Sequence, residues 1–165
     1  MVVRIQAEDF DVGAEITALR RAGAGSGAMV TFTGIVREFT ADQRLSAMTL
    51  EHYPAMTART LEAIERKARE RWPLDASLIV HRYGRLEPGD NIVLVITASP
   101  HRQAAFEAAE FLVDWLKTKA PFWKREESAG GGHWVEAKTT DDSAADRWTV
   151  AAPGQPQQPK RRKTG

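Results

Sequence analysis

The chain of 165 residues contains no cysteine. That excludes disulfides, thiolate metal ligands and a cysteine nucleophile together, so any sulfur chemistry must use sulfur brought by another molecule. No apolar run approaches the ~20 residues that a membrane-spanning helix needs, and the N-terminus does not read as a signal peptide. The expected compartment is the cytoplasm, with no membrane contact. A dominant sign of charge is also missing. The 23 Lys and Arg residues against 22 Asp and Glu leave a net charge of +1, which excludes a generally basic, nucleic-acid-like surface and leaves only local patches. The four histidines show no metal-ligand spacing, so no metal and no cofactor are expected. The glycine-rich AGAGSG at 22–27 is not followed by GKS or GKT. It reads as a flexible connection rather than a phosphate loop.

What is present is an ordinary 42% hydrophobic content, enough in a chain of this length for one domain with a real core. The expected organisation is a single domain at 1–150. From Ala151 the composition turns to Pro, Gln, Lys and Arg, and 151–165 reads as a disordered basic tail.

Along the domain, Met1 to Ala7 reads as a short strand and Asp11 to Arg21 as a helix with Ile16 and Leu19 inward. Ala28 to Glu38 is a strand by its β-branched and aromatic content, and Gly34 inside it marks a bulge or a close backbone approach. Arg37 stands at the end of that strand. Ala47 to Tyr53 is a second strand, expected to form a hairpin with the first. Its Glu51 and His52 are adjacent, so they point to opposite faces and are no catalytic pair. Ala55 to Trp72 is an amphipathic helix with Met56, Thr60, Ile64, Ala68 and Trp72 as its inner stripe, stopped by Pro73. Ser77 to His81 is a strand. Leu86 to Asp90 is a tight turn on its Pro-Gly pair. Asn91 to Ala98 is nearly all aliphatic, as a central strand buried on both faces would be. After a loose loop at Ser128 to Gly132, His133 to Lys138 alternates like an edge strand, and Asp141 to Trp148 reads as a short helix.

The stretch Ser99 to Glu126 organises the rest. It reads as one long helix followed by a lysine-rich loop. Ser99 suits an N-cap, Pro100 the first helical position, and Pro121 ends the pattern. Phe106, Ala109, Val113 and Leu116 repeat at helical spacing, with Ala105, Leu112 and Trp115 widening the apolar face. His101 and Arg102 sit in the first turn, where the helix dipole disfavours cations and favours an anion. Lys117, Lys119, Lys124 and Arg125 cluster around Pro121. The plain reading of Lys117 is a surface ion pair with Asp114, three residues earlier.

If His101, Arg102 and Lys117 serve one site, helix length becomes decisive. Sixteen residues at ~1.5 Å rise separate His101 from Lys117 by roughly 24 Å. Either the two ends serve different sites, or two copies pack so that the front of one helix meets the back of its partner's. A two-fold homodimer does this reciprocally, with two shared sites. The alanines at 104, 105, 108 and 109 would permit close approach of another element.

Several segments taken together, VTFTGIVRE, LEHYPAMT, RWPL, VHRYGRLEPGD, SPHRQAAFEA and LKTKAPFWKRE followed by WVEAK and RW, resemble the large, catalytic subunit of molybdopterin synthase. The resemblance is ordered and runs from Met29 to Trp148, about three quarters of the chain. It implies an α+β fold of the α/β hammerhead type, a mostly antiparallel sheet packed against two long helices. It implies a homodimer at the core of a heterotetramer, with a small ubiquitin-like sulfur-carrier subunit at each end. The carrier's C-terminal Gly-Gly, as a thiocarboxylate, would thread into the large subunit. Two such sulfurs would convert cyclic pyranopterin monophosphate (precursor Z) into the molybdopterin dithiolene, a sulfurtransferase step of molybdenum cofactor biosynthesis.

By the same resemblance Lys117 lies beside the carrier's terminal glycine and Lys124 near the reacting centre, as the catalytic residues. Arg37, His101 and Arg102 hold the substrate phosphate and pterin. Ile35, Val36, Arg125 and Glu126 line the pocket. Lys138 stands where the family often has Arg, which keeps the charge but loses the bidentate fork. Three alternatives stand beside this reading. One is an RNA- or acidic-protein-binding module using Trp123, Lys124, Arg125 and the KRRK run of the tail. The others are an inactive scaffold that still binds the carrier and an acyltransferase with a covalent Lys117.

Overall fold

The computed structural model describes residues 2–22, 25–40, 43–135 and 147–148. The chain opens with β1 (Val2–Gln6), α1 (Val12–Ala22), β2 (Ala28–Ile35), β3 (Phe39–Thr40), β4 (Gln43–His52) and α2 (Pro54–Arg71). It continues with β5 (Ala76–Arg82), β6 (Gly84–Leu86), β7 (Asn91–Ser99), α3 (Arg102–Thr118), β8 (Phe122–Ser128) and β9 (Gly131–Val135). Lys138, the expected helix at 141–148 apart from its last two residues, and the tail at 151–165 lie outside the described residues.

A four-stranded sheet in the order β1-β5-β7-β2 carries the core. Only β1 and β5 run parallel; β5–β7 and β7–β2 are antiparallel. The aliphatic run Asn91–Ser99 is therefore a central strand, and its period of two supplies both faces. Leu94 and Ile96 pack with Leu78, Val80, Phe10 and Leu19 on the α1 side. Val95 packs with Ile79 under Leu61, Ile64, Ala108, Phe111 and Leu112 of α2 and α3. Trp148 closes this side, stacked edge-on against Trp72 and Phe111.

The alanine stripe of α3 is buried on its own sheet, and Thr97 Oγ1 donates to the Ala105 carbonyl at 2.7 Å. Small side chains let the helix backbone settle this close to β7. Phe106, expected inward, is 62% exposed, while Phe111 is fully buried. In α2 the buried residues are Thr57, Leu61, Ile64, Glu65 and Ala68, and Met56 is exposed. The expected stripes hold at Ile64, Ala68 and Trp72 and at Ala105, Ala109, Leu112 and Leu116, and fail at Met56 and Phe106, where Thr57 and Ala105 face inward instead.

The second sheet is built on β4, with β8 and then β9 on one side and β3 and β6 on the other. The hairpin expected between the two early strands does not form. β2 pairs with β7, and β4 pairs with β8 in a separate sheet. A register shift at Gly34/Ile35 ends the pairing of β2 with β7 and turns the chain away. Gly34 is a close approach as well as a bulge. A Cβ there would lie 2.7 Å from Val93 Cγ1.

The back of the long helix also differs from expectation. The helix stops at Thr118, and the lysine-rich segment after Pro121 is strand β8. The loose loop at 128–132 is a tight β8–β9 connection on Gly131, whose φ of 107° suits glycine. At the front, His101 takes the N-cap position. Ser99 ends β7, and its Oγ accepts the His101 backbone N–H at 3.2 Å.

Candidate active site

Three segments meet where the end of the first sheet faces the second, around a cavity of about 700 Å³. The first is the C-terminal turn of α3, which brings Leu116 and Lys117. The Lys119 N–H still bonds the Trp115 carbonyl at 2.8 Å, and the Phe122 N–H bonds the Ala120 carbonyl at 2.8 Å. That compact turn over Pro121 delivers the chain straight into β8. The second segment is β8 itself. Phe122, Lys124 and Glu126 alternate onto the cavity side, as a strand's period of two requires. Their partners across the ladders fall on the same face: Leu50 and Val135 opposite Lys124, Met48 and His133 opposite Glu126.

The third segment is the end of β2. Gly34, Ile35, Val36 and Arg37 line the cavity. Val36 is 4% exposed, and both of its backbone groups bond the Pro-Gly turn. Its N–H donates to the Asp90 carbonyl, and its carbonyl accepts from the Gly89 N–H, each at 2.9 Å. Gly89 at φ 94° makes that turn possible. The turn thereby fixes the backbone that carries Arg37.

The electrostatics are lopsided. Among the described lining residues Arg37, Lys117 and Lys124 face one carboxylate, Glu126. Glu126 is 2% exposed, and its Oε1 lies 2.5 Å from Lys124 Nζ. Its Oε2 is 3.9 Å from His133 Nε2. Lys117 has no ion pair among the described residues. The expected partner Asp114 is taken instead by Arg147 and by the Trp148 indole N–H at 2.8 Å. The surface-pair reading of Lys117 therefore fails. Among the described residues the Lys117 ammonium faces the cavity without a carboxylate partner, where a neutralised one was the plain expectation.

One cavity residue was not singled out in the sequence. His81, at the end of β5, is 7% exposed and lines the wall. Its ring lies flat on Phe122, with centroids 3.8 Å apart and planes 14° from parallel. Its Nδ1 is 2.9 Å from the Arg82 carbonyl, which can only accept, so Nδ1 carries the proton. Burial pushes its pKa down to about 4. The signal in the sequence was faint: one histidine at a strand end before the RYG turn.

The structure brings Ile35, Val36, Arg37, Lys117, Lys124 and Glu126 together. Arg125 does not join them. It alternates to the other face of β8, where its guanidinium lies against Gly132. The same alternation separates Lys124 from Trp123 and Arg125, so these three do not form one stacking surface. His101 and Arg102 are exposed at the far end of α3, away from the cavity.

Comparison with known proteins matches this arrangement to one family. The family profile described as MoaE protein matches residues 5–119. The molybdopterin synthase catalytic subunit of Rhizobium meliloti is 55% identical over 151 residues, covering 90% of this chain and 96% of that protein. Among solved structures, the molybdopterin biosynthesis MoaE protein of Burkholderia ambifaria superposes with a TM-score of 0.78 at 48% identity, over 90% of this chain and 98% of that one. A complex of subunits 1 and 2 of the molybdopterin-converting factor from Helicobacter pylori shares the fold, with a TM-score of 0.69 at 21% identity over 82% and 91% of the two chains. The chain belongs to the MoaE family, the catalytic subunits of molybdopterin synthase.

Proposed function

We propose that the cavity between the two sheets is the site of sulfur transfer from a carrier thiocarboxylate to cyclic pyranopterin monophosphate. The observation that carries this reading is the convergence of Lys117, from the end of α3, and Lys124, from β8, on one cavity with a single buried carboxylate. An extended Gly-Gly tail has no side chains, so it suits a channel walled by Ile35, Val36, Leu50 and Met48. The first sulfur forms a C–S bond to the pterin side chain as a C–O bond to the cyclic phosphate breaks and the ring opens. The phosphate oxygen leaves as an anion, and the carrier stays joined as a thioester. A second carrier's thiocarboxylate adds the second sulfur at the neighbouring carbon, whose oxygen leaves as water. Water then attacks the thioester carbonyl and releases the carrier as a carboxylate. Lys117 or Lys124 stabilises the tetrahedral oxyanion or moves the proton. Arg37 holds the substrate's anionic oxygens.

The full pocket uses two copies of the chain. His101 and Arg102 of one protomer supply phosphate contacts to the cavity of the other, the one arrangement by which both ends of so long a helix can serve a single site. The carrier docks as the small subunit does in the Helicobacter complex, giving a heterotetramer on a central dimer. Lys138 is assigned to the phosphate, and Arg125, on the opposite face of β8, is given no part in the site. The cytoplasmic location expected from the sequence is part of this proposal. Among the described residues no helix is long and apolar enough to cross a membrane.

The test is carrier dependence. The purified protein with precursor Z should form the dithiolene with thiocarboxylated carrier and not with the carboxylate form. Product formed equally well with either carrier, or with none, would overturn the assignment. Binding to RNA with a steep salt dependence, in place of carrier binding, would favour the nucleic-acid module instead.

A further inference from the structure

We infer that His81 is a substrate-binding residue of the cavity, whose Nε2 accepts a hydrogen bond from an N–H of the bound substrate. The inference rests on the sulfur-transfer reading of the same cavity. His81 follows Ile79 on the helix-facing side of β5, at the strand end where the apolar core gives way to the cavity. A purely structural role there needs only a flat ring against Phe122, which phenylalanine would fill without desolvating two nitrogens. The Arg82 carbonyl satisfies Nδ1 at 2.9 Å. Nε2 has no hydrogen-bond partner among the described residues, and as the deprotonated nitrogen it keeps its lone pair.

The rest of the cavity makes that lone pair useful. Arg37, Lys117 and Lys124 offer only donors, and the Glu126 carboxylate is engaged by Lys124 at 2.5 Å. A ligand that carries both anionic oxygens and N–H groups finds many partners for the first and few for the second. His81 supplies a neutral acceptor, and its depressed pKa, about 4, agrees with an imidazole that stays uncharged. Two N–H sources fit this chemistry: the pterin ring and the terminal glycine amide of the carrier.

The experiment measures KM separately for carrier and for precursor Z in wild type and His81→Phe, which keeps the stacked ring and removes the acceptor. The expected result is a rise of about tenfold in one KM with kcat little changed, the size of one lost hydrogen bond in a binding step. The KM that rises identifies the source. Both KM values unchanged, or both raised together with a fall in melting temperature, would overturn the inference. A second measurement needs no variant. The 15N resonance of His81 Nε2 in wild type should move upfield on adding precursor Z alone or the carboxylate form of the carrier alone. A resonance unmoved by either also overturns it. Lys117→Ala run alongside separates the two levels: if that variant keeps turnover, the sulfur-transfer reading falls, whatever His81 does.

Discussion

Lys124 and Glu126 occupy alternate positions of one strand and meet at 2.5 Å on its cavity side. Because Glu126 is buried, the carboxylate fixes the ammonium in place rather than merely neutralising it. Glu126→Gln should keep the shape and release the lysine. Turnover is expected to fall by about tenfold to a hundredfold, the range for a displaced catalytic group, with the melting temperature little changed. Steady-state rates with thiocarboxylated carrier check this; an unchanged kcat would make Glu126 a structural residue only.

A second buried carboxylate belongs to the fold. Glu65, fully buried on α2, accepts from Arg69 Nε at 2.6 Å and from the Ser77 hydroxyl. Arg69 also reaches Ser77 Oγ at 3.2 Å and the Leu74 carbonyl at 3.1 Å. The network ties α2 to β5. Glu65→Ala removes the carboxylate that balances Arg69 and the acceptor of the Ser77 hydroxyl and opens a void, at a cost of about 3 kcal/mol. Urea unfolding should show that loss while the folded fraction keeps its activity. A change well under 1 kcal/mol would contradict it.

His81 should leave a mark on the pH dependence of stability. Its pKa is about 4 in the fold against an ordinary 6.5. Between these values the unfolded chain binds a proton that the folded chain refuses, so stability falls as the solution is acidified. The contribution is fully present above pH 6.5 and lost as the pH drops to about 4, on the order of 3 kcal/mol in all. Comparing unfolding midpoints near neutrality and near pH ~4.5, wild type should lose more than His81→Phe. Equal losses would refute the buried neutral imidazole.

The legibility of this chain in sequence follows what each face packs against. β7 was readable because both of its faces are core, and α2 and α3 because one side of each is. Strand β8 reads as a loop in sequence because its inner face carries Lys124 and Glu126 where core residues would stand. A strand facing a functional cavity loses the apolar alternation that marks strands. The pairing of β4 was missed because the nearest strand in sequence is the default partner, and nothing local announces β8 as the real one. Asp114 was assigned to Lys117 by proximity, whereas the distant Arg147 and Trp148 hold it. The site residues Lys117, Lys124 and Arg37 came from the family resemblance, and the structure adds their shared cavity.

The shared-site arrangement makes a sharp prediction about mixtures. Lys117→Ala and His101→Ala should each be inactive alone. If each site takes Lys117 from one protomer and His101 from the other, mixed dimers contain one intact site. Unfolding and refolding the two variants together should restore about a quarter of wild-type activity, since half the dimers are mixed and half their sites intact. No recovery in verified mixed dimers would place both residues on one protomer's site, and a His101→Ala variant active by itself would remove His101 from the site.

The most direct measurement is a single-turnover assay of Lys117→Ala with thiocarboxylated carrier and precursor Z, beside gel filtration of the same sample. The expected result is an intact dimer that still binds the carrier and forms no dithiolene. Near-normal product from that variant would contradict the placement of sulfur transfer at Lys117.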